Sequence, residues 1–189
     1  ESYQQDRYGG WISSLALMLA PLADCRATIG TKKNNVSPLP EAVCRDGLKL
    51  HTKEKEAAQA LISATPVCRD LAERCVLDGK DAESTSLLRR DAGVFLFDMK
   101  DKWRAAFAVA RARDLADLPS DGGDDLLVLE RMQRRTEYKT VIDKYDKAVQ
   151  TIVDLSLDHV WSTYKPHFDG KAIISELHVP KGPFVGQIA

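Results

Sequence analysis

The sequence lacks a segment that could span a membrane, and it lacks the excess of basic residues that would give the protein a broadly basic surface. Its longest apolar run, Trp11 to Leu22, is too short to cross a bilayer and contains Pro21 near its end. The formal net charge is −1, so any contact with nucleic acid must come from a local basic patch. We therefore expect no membrane partner, and we look for function in local clusters of residues.

Short motifs of common catalytic sites are also missing. There is no Walker loop, no dinucleotide-binding glycine pattern and no G-x-S-x-G motif. The four histidines show no H-E-x-x-H spacing, which argues against a zinc site. Gly122-Gly123-Asp124-Asp125 resembles an acidic polymerase turn, but a helical pattern follows it and makes an N-cap the better interpretation. We predict no catalytic residue, no metal and no cofactor in this chain.

The four cysteines allow two interpretations. None forms a C-x-x-C pair, which argues against zinc-binding and thioredoxin-type motifs. Cys68 and Cys75 are seven residues apart, so a helix would place both on one face as small buried thiols. Reduced thiols in an intracellular protein are the favoured prediction. The alternative is a secreted helical effector with Cys25–Cys44 and Cys68–Cys75 disulfides.

Apolar residues recur at helical spacing along most of the chain. From residue 138 to residue 153 they follow the 3.6-residue period, and no segment alternates at period two for long enough to predict a strand. The pattern predicts an all-α fold, an irregular multi-helix bundle. Thr65-Pro66 is predicted to end one helix and begin the next, with Thr65 as cap and Pro66 in the first turn.

The clearest linker is Pro119-Ser120-Asp121-Gly122-Gly123. It divides the chain into a helical body domain, residues 1–120, and a second part, residues 121–189. That second part is predicted to hold a long helix beginning near Asp125 and a helical tail that is truncated at its C-terminus.

Three basic segments are candidate contacts for phosphate groups. The first is a turn-rich loop, the second a long helix whose arginines and Lys139 lie largely opposite its apolar face, and the third a terminal segment where Pro183 begins a helix with free backbone N–H groups. A solvated loop, an ordinary surface helix and a chain-reversing turn are the alternative interpretations. The candidate residues are Lys32, Lys33, Arg131, Arg134, Arg135, Lys165, Lys171, Lys181, Gly182, Phe184 and Gly186.

The order of several landmarks resembles the C-terminal half of the eukaryotic, particularly fungal, CCA-adding tRNA nucleotidyltransferases. These enzymes belong to the class II nucleotidyltransferases, in the poly(A) polymerase-like superfamily. Arg89-Arg90-Asp91 also resembles a motif of that family's catalytic head, but the residues after it depart from the head pattern, so Arg89 and Arg90 receive no metal or nucleotide role. The landmarks that carry the resemblance are the apolar helix from Tyr8 to Pro21, Gly47-Leu48-Lys49-Leu50, Arg89 to Gly93, Lys102-Trp103-Arg104, and Gly170 with Gly182, Pro183 and Gly186.

The resemblance implies a specific role. The intact enzyme would add C, C and A to tRNA 3′ ends from CTP and ATP, using Mg²⁺ in a catalytic head that this chain lacks. The helical body and tail would bind the acceptor and T arms of tRNA through phosphates and shape. The chain opens at Glu1, inside a predicted helix, which predicts a fragment. The location would be intracellular: mitochondrial, nuclear or cytoplasmic. The alternative is a self-contained, non-catalytic helical protein that binds RNA or acts as a scaffold.

Overall fold

Helices make up most of the computed structural model, which describes residues 9–28, 36–77, 82–118 and 128–163. In that part of the chain the strands are confined to one two-stranded sheet, which confirms the predicted all-α class. The elements are α1 (Gly9–Leu19), β1 (Arg26–Thr28), β2 (Val36–Pro38), α2 (Leu39–Ala42), α3 (Thr52–Leu77), α4 (Ala82–Met99), α5 (Trp103–Ala116), α6 (Val128–Asp154) and α7 (Val160–Thr163).

Helix α3 lies at the centre of the core and contacts α1, α4, α5 and α6. Its buried face combines large residues such as Leu61 and Leu71 with small ones such as Ala58 and Ala72, which have no exposed surface. Small side chains let neighbouring helix backbones approach closely, because the distance between two helix axes depends on the side chains at the contact. This one helix therefore organises the bundle.

The predicted break at Thr65-Pro66 is wrong, since α3 runs through Pro66 without ending. Proline has no N–H to donate to the carbonyl four residues earlier, at Ile62, and this costs a helix roughly 3 kcal/mol. Here the ring faces solvent, while Thr65 is buried and its hydroxyl donates to the Leu61 carbonyl at 3.4 Å. The helix survives because both of its halves bury apolar residues, Leu61 before the proline and Cys68 after it.

The two short strands were not predicted from the sequence. They pair antiparallel, with Arg26 opposite Pro38 and Thr28 opposite Val36. Each has three residues, which is too short for an alternating pattern to be recognised. The pairing brings the chain that follows α1 next to the start of α2. There the Leu39 N–H donates to the Cys25 carbonyl at 2.8 Å.

An aromatic cluster fills the core between α4, α5 and α6. The Phe107 ring meets Phe95, Trp103 and Tyr145 edge to face, with centroids 5.8, 6.2 and 6.4 Å apart. Such T-shaped pairs add stabilisation beyond the area they bury. Trp103 is 3% exposed, so its ring belongs to the core and is not available for stacking on bases.

All four cysteines are unbridged, so the interpretation with two disulfides is wrong. Cys68 and Cys75 lie two turns apart on α3, about 10 Å by helical rise, whereas a disulfide needs Cα atoms within about 7 Å. Both side chains are buried, as predicted, and Cys44 is buried too. Burial raises the pKa of the Cys68 thiol and that of Cys44, which keeps these groups protonated.

Among the helices that the structure describes, none combines the length and the apolar composition needed to cross a bilayer. The linker at residues 119–123 lies outside the described residues, so the proposed division at residue 120 stays a prediction.

Candidate functional site

Most of the predicted phosphate contacts fall outside the described residues. These are Lys32, Lys33, Lys165, Lys171, Lys181, Gly182, Phe184 and Gly186. Arg131 and Arg134 belong to α6, but their side chains are not among those described. Arg135 is the predicted contact whose side chain the structure does describe, and it is exposed.

The amino-terminal half of α6, residues 128–140, presents its described side chains to solvent. Arg135 and Lys139 are exposed, and Tyr138 keeps 37% of its surface exposed. No side chain described between residues 135 and 144 is buried. The described basic residues of this half, Arg135 and Lys139, therefore lie on a helical segment in which no described side chain is buried.

The carboxyl-terminal half of α6, residues 141–154, packs into the core. Tyr145, Ala148 and Ile152 are at most 2% exposed, as their 3.6-residue spacing predicts. Ile142 was expected on the same face, but it keeps 37% of its surface exposed. Ile142 follows the partly buried Val141, and successive residues of a helix point about 100° apart, so the Ile142 side chain turns toward solvent.

Asp114 of α5 is the meeting point of three donors from two other helices. The Tyr145 hydroxyl donates to it at 2.8 Å and the Lys144 ammonium at 2.9 Å, and Arg69 donates through Nε. Arg69 also reaches Asp117 through a second nitrogen, at 2.9 Å. The Asp114 side chain is 13% exposed, so its own contacts are largely shielded from water, whereas Asp117 is 61% exposed. We call these five residues the Asp114 junction; it ties α3, α5 and α6 together.

The protonation states at the Asp114 junction argue for a structural role. Burial acts to raise the pKa of Asp114, but hydrogen bonds from Lys144, Tyr145 and Arg69 outweigh it and hold the pKa below its usual value. Burial and the hydrogen bond to Asp114 raise the pKa of Tyr145. Near neutral pH the carboxylate is therefore ionised and the phenol is neutral. A general acid or base works best with a pKa near the working pH, so neither group suits that role.

A small cleft between α5 and α6 brings together residues that the sequence did not single out as a site. Its volume is about 160 Å³, and Arg104, Arg111 and Asp146 stand among its lining residues. Phe107, Ala108, Tyr145 and Val149 complete the lining. The signal in the sequence was the spacing of the two arginines, seven residues apart on a predicted helix, which places both on one face.

Within the described ranges, no cluster of three or more His, Cys, Asp or Glu side chains is placed to hold a metal ion. The cleft and the amino-terminal half of α6 both carry cationic side chains, Arg104 and Arg111 in the cleft and Arg135 and Lys139 on the helix. Such groups bind anions by charge-assisted hydrogen bonds.

Comparison with known proteins gives one informative match. The chain is 28% identical over 176 residues to the mitochondrial CCA tRNA nucleotidyltransferase of Candida glabrata. The match covers 92% of this chain but 29% of that protein, so the chain spans less than a third of its relative. No family model matches the chain. No solved structure matches it significantly. The similarity supports a related family for this chain, in agreement with the motif resemblance, while the fungal origin and the C-terminal position stay predictions.

Proposed function

We propose that this chain is a tRNA-binding helical region of a CCA-adding tRNA nucleotidyltransferase. In this proposal it holds the acceptor and T arms of tRNA, while a catalytic head elsewhere in the same polypeptide performs the chemistry with Mg²⁺, CTP and ATP. The similarity to a mitochondrial CCA tRNA nucleotidyltransferase supports this reaction class and an intracellular, mitochondrial setting. The chain itself contributes binding and positioning.

The observation that carries this proposal is the contrast between the two halves of α6. Its carboxyl-terminal half is anchored by buried residues such as Tyr145, and its amino-terminal half extends the same helix with Arg135 and Lys139 exposed. Arg131 and Arg134 belong to the same helical segment, four residues and one residue before Arg135. A helix that is already folded can present several cations to a phosphate backbone without a further cost of ordering its main chain on binding.

The chemistry of this segment suits double-stranded RNA better than exposed bases. Double-stranded RNA is recognised mainly by shape and by contacts to phosphates and 2′-hydroxyls. Sequence-specific binding of single strands uses aromatic rings that stack on bases. The basic half has one aromatic residue, Tyr138, which is exposed, and its described cations Arg135 and Lys139 are exposed beside it, so cations outnumber rings there. Phosphate contact is therefore the stronger expectation.

A binding titration tests the proposal. The 189-residue chain would be titrated with tRNA, with a minihelix of the acceptor and T arms, and with single-stranded RNA of the same length. We expect the tRNA and the minihelix to bind similarly and the single strand to bind at least tenfold more weakly. Equal affinity for the single strand would contradict the acceptor-arm proposal.

A matched pair of variants tests the α6 surface itself. Replacing Arg131, Arg134, Arg135 and Lys139 with Gln should weaken tRNA binding and make the slope of log K against log salt shallower by up to about 0.9 per lost contact. The control variant replaces Lys49, Lys53, Arg89 and Lys100, which are exposed elsewhere in the molecule. It removes the same formal charge, so equal loss in both variants would show that net charge, and not this surface, binds the RNA.

A further inference from the structure

The cleft between α5 and α6 offers two guanidinium groups beside an apolar wall. Arg104 and Arg111 lie on one face of α5, while Phe107 and Val149 are among the residues between the two helices. A volume of about 160 Å³ holds several water molecules, since one water needs at least about 10 Å³ of such space. A tetrahedral anion has room to enter.

Arg104 is held in position but keeps its hydrogen-bonding capacity. Its guanidinium carbon lies 4.4 Å from the centroid of the Trp103 ring, a cation–π contact with a side chain that is itself buried. In the part of the chain that the structure describes, no carboxylate lies within ion-pair distance of Arg104. A stacked guanidinium still presents its N–H edge, so a phosphate would meet a donor that is already oriented.

Arg111 has an internal anion as its partner. Its Nη1 donates to Asp146 at 2.9 Å, and the two side chains are 38% and 62% exposed. Ion pairs as exposed as this one contribute little to stability. Arg111 can therefore exchange the carboxylate for a ligand at small cost, and Asp146 acts as a competitor that occupies the guanidinium when no ligand is bound.

We propose that the α5–α6 cleft is a phosphate-binding site, with Arg104 and Arg111 as donors and Asp146 as the competing internal anion. A planar guanidinium group can donate two parallel hydrogen bonds to two oxygens of one phosphate. The apolar wall formed by Phe107 and Val149 limits competition from water on one side. The phosphate can come from an RNA backbone or from a free nucleotide. The RNA source rests on the proposed tRNA function, whereas the site itself does not.

The first test follows the arginine side chains directly. In the full chain labelled with ¹⁵N-arginine, the Nε–H signals of Arg104 and Arg111 should shift saturably with inorganic phosphate and with ATP. The Arg89 signal, on the exposed face of α4, should not follow the same curve. Equal shifts at all exposed arginines would overturn the proposal, because they would show nonspecific screening.

Two substitutions with opposite expected effects sharpen the test. Arg104→Gln should weaken phosphate binding about tenfold, the factor that corresponds to about 1.4 kcal/mol at 25 °C. Asp146→Asn should strengthen it about threefold to tenfold, because Arg111 no longer has a competing carboxylate. Arg89→Gln is the control and should change neither affinity. Unchanged affinity in Asp146→Asn would overturn the role of Asp146, and unchanged affinity in Arg104→Gln would overturn the site.

The source of the phosphate is read from the same variants. If tRNA supplies it, Arg104→Gln weakens tRNA binding and lowers the salt slope by about 1. If a nucleotide supplies it, ATP binding falls and tRNA binding is unchanged. The cleft can also be tested separately from the α6 surface. Normal tRNA binding by the four-residue α6 variant would contradict the proposed tRNA surface. Phosphate binding retained by that same variant would still support the cleft as a site.

Discussion

Two tyrosines on one helix show how differently the two halves of α6 are used. Tyr145, in the carboxyl-terminal half, is 1% exposed, packs edge to face against Phe107 and donates its hydroxyl to Asp114. Tyr138, two turns earlier, is 37% exposed. The same side chain on the same helix thus lies in the core at one position and at the surface at the other.

The buried contacts that anchor α6 and the surface proposed to bind tRNA therefore lie in separate segments of the helix. The buried face at Tyr145, Ala148 and Ile152 fixes the helix to α3 and α5. That anchor continues directly into the amino-terminal half, whose described side chains, residues 135–140, include no buried one. A protein can then change the basic surface without losing its fold, provided that the anchor is kept.

The largest expected effect comes from removing the buried tyrosine. Tyr145→Ala creates a cavity beside Phe107 and deprives Asp114 of one donor. Replacement of a large buried aromatic residue by Ala typically costs about 3–5 kcal/mol. We expect Tyr145→Ala to lower the free energy of unfolding by that amount, measured by urea denaturation at pH 7.

Tyr138→Ala is the matched control for this prediction. Because its side chain is partly exposed, we expect a loss of at most about 1 kcal/mol. Similar losses in the two variants would break the comparison, since they would mean that the amino-terminal half of α6 is packed as tightly as the carboxyl-terminal half.

The next largest effect concerns the Asp114 junction. Asp114→Asn keeps the shape of the side chain but removes the charge that Arg69 and Lys144 share. Removing one partner of a largely buried, hydrogen-bonded charge group leaves the others unsatisfied, which typically costs about 2–3 kcal/mol. We expect that loss at pH 7, with Asp143→Asn, an exposed carboxylate on α6, changing stability by less than about 0.5 kcal/mol.

The pH dependence of the same variant has a definite sign. The pKa of Asp114 is lower in the folded protein than in the unfolded chain, where it is about 3.9. Its contribution to stability is therefore complete above pH 4 to 5 and is lost as the pH falls through the folded-state pKa. The stability difference between the natural protein and Asp114→Asn should be equal at pH 7 and pH 5 and smaller at pH 3. A difference that grows on acidification would contradict the assignment.

Helical spacing was enough to predict the fold class, because it reports directly on which residues can share a buried face. It placed Tyr145 and Ile152 in the core correctly. It was wrong at Pro66, where local propensity favours a break and burial on both sides of the proline overrides it. It also gave no sign of the three-residue strands, which depend on pairing between distant segments.

The candidate site was harder to predict, because it depends on contacts between helices. The spacing of Arg104 and Arg111 shows that they share a face of α5, but nothing in the sequence shows that Asp146 of α6 lies 2.9 Å from Arg111. The same holds for Asp114, whose three donors are 30 to 45 residues away along the chain. The pairing of charges across a bundle follows from packing, which local patterns do not encode.

The smallest expected change in stability is also the most informative about function. Arg135→Gln with Lys139→Gln alters the exposed half of α6, and no ion pair of either residue is found in the part of the chain that the structure describes. Surface substitutions of this kind usually change stability by less than about 0.5 kcal/mol. We therefore expect the midpoint of urea denaturation to stay within error of the natural protein while tRNA affinity falls.

This combination separates a binding surface from a structural one. If the double variant lost stability together with affinity, weaker binding would be explained by unfolding, and the contrast between the two halves of α6 would fail. If it kept both stability and affinity, the basic half would be an ordinary solvated helix face. Only unchanged stability with reduced affinity assigns the anchor and the tRNA contact to different halves of one helix, because the exposed side chains of Arg135 and Lys139 would then affect binding without affecting the fold.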